Sequence, residues 1–525
     1  MTTRISCHRG GFCRLIVLVF LVFIGVLALI GSGRLAAGQP VGRALAAGMA
    51  DHTVPTQAYH AAFGDFYDGD YRSALEQFRL NSRGAIKTPQ SRWIDSICYE
   101  TMQGECYYQM GQLSEALAHY TNALELYQAF PTWLSQVIFQ PIRADPGGKK
   151  PPPWQIRRLQ APLGQLPYRM SLGQGQAVVS SQQLAQGGVI EQANLFPIEP
   201  GEILRCTTLA IRRRGELLGP LAAHDPLIDN IIATLQRRPG QPNHWSEAWI
   251  NLELGLALSA GGRTAAAVPL LQRATLASGE FEHPLTAVAH LELGRLAMAA
   301  GDFSAAAVHF EEASYASYYF VDVNRLPDLD VMEEAFRYGA LNYHLANDNK
   351  IVFPSPATLA TAAVWAKANR CRQLYVSLLT LAAENNLVLG QTQRAMALLD
   401  EARTAIGNKF MAGGRLAARR LFLVTTALYQ AGKIADGDAS LAKVISFMRT
   451  GSLWLFHMQK VDEYYTGGGN GNVSAARAAI DLYQVVLRDP QPTDWLTDPM
   501  EALAALCVPH GLIYEHWFDA AIDRK

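Results

Sequence analysis

Three observations predict an all-α chain built as a solenoid of helix–turn–helix units. A small residue precedes an alanine by twelve positions several times over: Gly104 to Ala116, Gly255 to Ala267, Gly294 to Ala306, Ala62 to Ala74 and Ala383 to Ala395. Seven residues after each small residue stands a glycine, at Gly69, Gly111, Gly262, Gly301 and Gly390, and a further one stands at Gly432. Four residues after the alanine comes a bulky side chain, Phe78, Tyr120, Leu271, Phe310 or Leu399, followed in most units by Ala123, Ala274, Ala313 or Ala402. The spacing has a physical reason. Small residues let two helices approach closely, and the bulky one fills the space between them. The glycine ends the first helix where the backbone needs a left-handed conformation.

These positions resemble the tetratricopeptide repeat (TPR), with its Leu-Gly-x-x-Tyr and Ala-x-x-x-Phe pattern over about 34 residues. The best units are Leu252 to Ala274, Leu291 to Ala313 and Met102 to Leu124. Units at Phe63–Asn81, Leu381–Ala402 and Thr425–Val444 are degraded, and weaker ones lie at Val331–Asn369 and Trp454–Arg488. The resemblance implies a TPR-like helix–turn–helix solenoid and a general role in binding proteins, as in a bacterial membrane-anchored or exported member of that superfamily. It implies no particular partner, because this scaffold serves many.

Along the chain, residues 1–34 hold Arg4, Arg9 and Arg14 before an uncharged stretch from Leu15 to Gly33. As a helix this stretch would reach about 28 Å, close to the hydrocarbon core of a bilayer. The arginines favour a cytoplasmic N-terminus. Two readings stay open: an uncleaved N-terminal membrane anchor, or a signal segment cut after the small residues near Ala36 or Ala46. Both place the rest of the chain outside the cytoplasm. Residues 35–55 read as an Ala- and Gly-rich linker. Residues 56–130 carry the first TPR-like repeats.

Residues 131–200 break the pattern. Ten prolines fall there, with three acids against six bases, and no helical period survives. This is an irregular Pro-rich insertion, either a connecting loop or a binding loop, with short strands expected at Gln176–Ser180 and Gly188–Ile190. Residues 201–244 read as connecting helices. In one of them Asp225 caps, Pro226 takes the first position, and Ile228, Ile231, Ile232 and Leu235 form a stripe ending at Arg237 and Arg238. Residues 245–525 read as a second TPR-like array, with a loop at Gly467–Gly471. A last helix over Leu512–Ala521 carries Ile513, Tyr514, Trp517 and Phe518. No second helix follows it, so this end is expected to dock a partner or to continue in a longer repeat protein.

Composition narrows the function. Formal net charge is −1, so no basic field points to nucleic acid, and 17% charged residues fits alanine-rich helices packed on both sides. The seven cysteines form no Cys-x-x-Cys pair, which suggests neither a disulfide framework nor a zinc site. Cys98 and Cys106 are expected on one helix, more than two turns apart, as small buried residues. No phosphate-binding loop, nucleophile elbow or His-Glu-x-x-His run occurs. No catalytic, cofactor-binding or metal residue is therefore assigned, and a site within the insertion is the only enzymatic alternative. Arg212-Arg213-Arg214, the densest basic run, reads as a solvated helix face.

In a TPR array the first helix of each unit lines the groove. The positions used by carboxylate-clamping relatives hold Thr101, Leu252, Leu291, Glu105, Leu256 and Arg295 here, which is no clamp. An apolar or aromatic groove is expected instead, with Tyr108, Trp249, Met298 and Arg295 as lining residues, or with the first three packing between repeats. The function expected is a non-enzymatic protein–protein interaction scaffold; the alternative is a repeat protein that self-assembles at the membrane or cell envelope. The partners are proteins or peptides, the membrane through residues 15–33, and further copies of the chain, with no nucleic acid.

Overall fold

The computed structural model describes residues 55–85, 92–147, 151–154, 161–165, 170–174, 194–242, 244–321, 328–346, 353–407, 413–467 and 473–523. The apolar stretch at 15–33 lies outside them, as do the strands expected at Gln176–Ser180 and Gly188–Ile190. Among the described residues no helix is long and apolar enough to cross a membrane.

The fold is predominantly helical. It begins with α1 (Gln57–Asp68), α2 (Tyr71–Asn81), α3 (Ser96–Met110) and α4 (Leu113–Ala129). A three-stranded antiparallel sheet follows, in the order β1 (Val137–Ile138), β2 (Met170–Gln174), β3 (Asn194–Ile198), with Leu172 paired to Val137 and Phe196. Next come α5 (Pro200–Leu218), α6 (Pro226–Arg237), α7 (Trp245–Ala260), α8 (Thr264–Arg273), α9 (Thr286–Ala299) and α10 (Phe303–Val321). The chain continues through α11 (Leu329–Ala346), α12 (Pro356–Ala368), α13 (Arg372–Val388), α14 (Thr392–Ile406), α15 (Arg415–Gln430) and α16 (Ile434–Gly451). Last are α17 (Leu453–Gly467), α18 (Val473–Val486), α19 (Pro492–Thr497), α20 (Pro499–Cys507) and α21 (Gly511–Asp523).

Six hairpins form where the repeat spacing predicts them: α1 with α2, α3 with α4, α7 with α8, α9 with α10, α13 with α14 and α15 with α16. Each turns through a glycine with positive φ, the six expected from the sequence. At Gly301, φ is 79°, a left-handed conformation that a side chain would strain. Within the hairpins the paired alanines Ala62, Ala74, Ala116, Ala267, Ala306, Ala383 and Ala395 are fully buried. So are the bulky residues Phe78, Tyr120, Leu271, Phe310 and Leu399. Successive hairpins touch through α2 and α3, α8 and α9, and α14 and α15.

Helix α6 forms as its sequence predicts. The Asp225 side chain accepts from the Leu227 amide, and Ile228, Ile231, Ile232 and Leu235 are its buried stripe. Two described points of the Pro-rich insertion reach the helical part of the chain. Trp154 stands edge-on to Tyr318, Phe336 and Trp365. The Gly164 amide donates to the Glu282 carbonyl at 2.8 Å, in the loop before α9.

The helices gather around α5, which packs on α3, α4, α7 and α17. The first hairpins also meet the later ones directly, α1 against α13 and α3 against α15. One apolar core runs from Tyr59 on α1 to Phe456 on α17, and a separate one joins α17, α18, α20 and α21.

Candidate functional site

Helix α5 occupies the interior of the helical array. Pro200 starts it at a position that needs no amide donor, and Glu202 suits its first turn. Sixteen of its 19 residues are buried, so it has no solvated face. This corrects the sequence expectation for Arg212-Arg213-Arg214, all of which are buried. A buried guanidinium needs anionic partners, and each has them. Arg212 pairs with Glu334 on α11. Arg213 is held three ways: Nε to Glu105 at 2.8 Å, Nη1 to Glu216 at 2.8 Å and Nη2 to Glu334 at 2.7 Å. Arg214 pairs with Asp225 and donates from Nε to the Thr121 hydroxyl at 3.1 Å.

Two of the four expected groove residues act on Glu216 of this helix, Tyr108 by contact and Arg295 through its charge. The Tyr108 hydroxyl donates to Glu216 at 2.8 Å, and the Arg213 and Arg415 guanidinium carbons lie 4.3 and 4.7 Å from its ring centre. Arg295 bonds Glu292 at 2.9 Å and shares the Tyr338 ring with Arg337, at 5.3 and 4.3 Å from its centre. Burial raises the Glu216 carboxyl, but Arg213, Arg415, Arg295 and Arg337 outweigh it and hold the group well below the usual carboxylate range. Glu216 thus stays ionised, paired with Arg213 and within the field of three further arginines.

The other two lie elsewhere. Trp249 is wholly buried, stacked on Trp245 and against Phe139. Its Nε1 donates to His283 Nδ1 at 3.2 Å, while His283 Nε2 bonds the Ala274 carbonyl at 2.8 Å. Burial lowers that imidazole to about 4, the bond to Ala274 opposing. Met298 is half-buried against the core. Trp249 therefore packs between elements and offers no surface to a ligand.

A surface with room for a ligand lies beside the α3–α4 turn. It is a half-open cleft of about 670 Å³, walled by that turn at Gly111–Glu115, the end of α16, one face of α17 and the α20–α21 corner. Leu455, Met458, Leu512 and Ile513 give it apolar walls; Arg449, Gln459 and His510 give it polar points. Periodicity could not have located it, since its walls come from opposite ends of the sequence.

A polar cluster missed by the sequence reading joins α3 to α5. Single ligand atoms of Cys98, Glu202 and Cys206 lie within 4.8 Å of one another, all three buried, a grouping that could hold a metal ion. The Glu202 oxygens are already engaged. Arg205 donates to both at 2.8 Å, and Tyr59 and Cys206 donate to one. Burial raises Glu202, but Arg205 outweighs it and lowers the carboxyl. A cation at this place would have to displace a buried guanidinium. Cys98 and Cys106 share α3, as expected.

Comparison with known proteins adds no assignment. No protein-family model matches the chain. No curated protein matches it.

Proposed function

We propose that this chain is a TPR-like α-solenoid that works without catalysis as a scaffold for protein or peptide segments. On this reading its N-terminal apolar stretch anchors it in a membrane, or exports it and is cut away, with the helices outside the cytoplasm. The observation that carries the reading is the cleft of about 670 Å³ between the α3–α4 turn and α16, α17, α20 and α21. The centre of the array is filled by α5, so a ligand has to be met at such an edge. Apolar walls with a few polar points suit a peptide segment.

The test is photo-crosslinking of the full chain in its source cells from a reactive residue at Leu512, with one at Leu80 on α2 as control. Both are exposed, and only Leu512 lines the cleft. A partner joined from Leu512 alone, and lost with Gln459→Ala and Met458→Ala, supports the reading. Equal crosslinking from both positions removes it.

Self-assembly is the second reading, and one observation favours it. Leu506, Leu512, Phe518 and Ile522 on α20 and α21 are all more than half exposed. Exposed apolar side chains on one pair of helices suit association. If the protein crosslinked from Leu512 is the chain itself, this reading takes over.

A further inference from the structure

Cys98 on α3 and Cys206 on α5 face each other where the two helices pack. Both are fully buried. The backbones are close at the same level, since the Thr101 hydroxyl donates to the Cys206 carbonyl at 3.3 Å. Around Cys206 the groups are polar: its thiol donates to Glu202 at 3.4 Å, Arg205 Nη2 lies 3.7 Å from the sulfur, and the Tyr59 hydroxyl lies 3.5 Å away. A cysteine kept only as a small apolar filler would not need a carboxylate, a guanidinium and a phenol against its sulfur.

We propose that Cys98 and Cys206 are a disulfide-forming pair that staples α5 to α3, closed by exchange with a disulfide oxidant. Cys206 attacks as the thiolate, its proton passing to the thiol that leaves. The Cys206 sulfur attacks the oxidant's S–S bond, forms a mixed disulfide and releases one thiol. The Cys98 sulfur then attacks the Cys206 sulfur, its proton leaving with the second thiol. Two protein thiols and one external disulfide become one protein disulfide and two external thiols. Since neither sulfur meets solvent, the exchange belongs to the folding chain, before α5 is enclosed. Compared with a metal ion, a disulfide leaves the Glu202–Arg205 pair in place. The link closes a loop between residues 98 and 206, long enough to constrain the unfolded chain strongly.

The experiment is refolding of the full chain with oxidised glutathione, alkylation under denaturing conditions and peptide mass spectrometry. The expected product is a Cys98–Cys206 linked peptide pair that a dithiol separates. Its melting temperature should exceed that of the reduced chain by a few degrees, a difference that Cys98→Ser and Cys206→Ser both abolish. Because those variants can themselves fail to fold, the wild-type comparison with and without dithiol stands alone as a readout. Full alkylation of both cysteines after oxidation overturns the proposal. So does a link from either cysteine to Cys106, or a metal that remains after dialysis and leaves on chelation.

Discussion

A β-carbon placed on Gly294 would lie 2.6 Å from the Phe310 ring of the paired helix. The same relationship recurs between Gly104 and Tyr120 and between Gly255 and Leu271, each at 2.8 Å. These are the small and bulky positions of one repeat, sixteen residues apart, and they set how close the two helices of a hairpin come.

Gly294→Ala therefore sets two effects against each other. Helix propensity favours alanine by about 1 kcal/mol, whereas forcing a methyl into a filled interface costs about 1–3 kcal/mol. Overpacking wins because Phe310 is fully buried and has nowhere to retreat. We expect net destabilisation of up to about 2 kcal/mol in denaturant titration. Gly64 on α1 has nothing near its missing β-carbon, so Gly64→Ala is expected to stabilise by about 0.5–1 kcal/mol. Equal signs for the two variants would refute the close-packing argument.

Arg213 binds three carboxylates on three elements. Arg213→Met leaves Glu105 and Glu334 buried with a lost partner, and we expect a cost of about 3–5 kcal/mol. Arg213→Lys is not a rescue, because a single ammonium cannot reproduce the Nε, Nη1 and Nη2 geometry. A lysine variant with wild-type melting behaviour would show that net charge alone matters there.

Glu253 on α7 is buried and accepts from the Tyr127 hydroxyl at 2.7 Å. Burial pushes its carboxyl from 4.5 up to about 8, the Tyr127 bond pulling the other way. The folded chain keeps a proton there that the unfolded chain releases. The stability it contributes is complete below pH 4.5 and is lost as pH rises through about 8. Glu253→Gln should flatten the pH dependence of the melting temperature across that window. An unchanged slope would mean that Glu253 is ionised in the fold.

Much of the fold was legible and most of the interior was not. The six turn glycines and the glycine–bulky pairs are local and periodic, so sequence spacing alone locates them. The Asp225-Pro226 helix start was legible for the same reason. Arg212-Arg213-Arg214 was misread because the partners are remote: Glu105 lies 108 residues before Arg213 and Glu334 lies 121 after it. The helix itself gave no signal of enclosure: Ile203, Leu204, Ile211, Leu217 and Leu218 gather on one side of α5 and Arg205, Arg212, Arg213 and Glu216 on the other, the pattern of a surface helix. Trp249 followed the repeat register, but its burial depends on Phe139 from the insertion and His283 from the next loop, which no period foretells.

His283 supplies the acid-side counterpart of Glu253. Its neutral ring accepts from Trp249 on one nitrogen and bonds the Ala274 carbonyl with the other. Burial lowers it from 6.5 to about 4. The folded chain thus resists a proton that the unfolded chain binds below pH 6.5. The stability this group contributes is complete above that pH and is lost as pH falls through about 4. Protonation would also set an N–H against the Trp249 donor, so loosening should begin around Trp245 and Trp249. We expect acid titration to change tryptophan emission between pH 6.5 and 4 ahead of the loss of helical circular dichroism. His283→Gln, which cannot take up the proton, should remove that early step while melting at pH 7 falls. If emission and helicity are lost together in both proteins, the imidazole is not the acid-sensitive point.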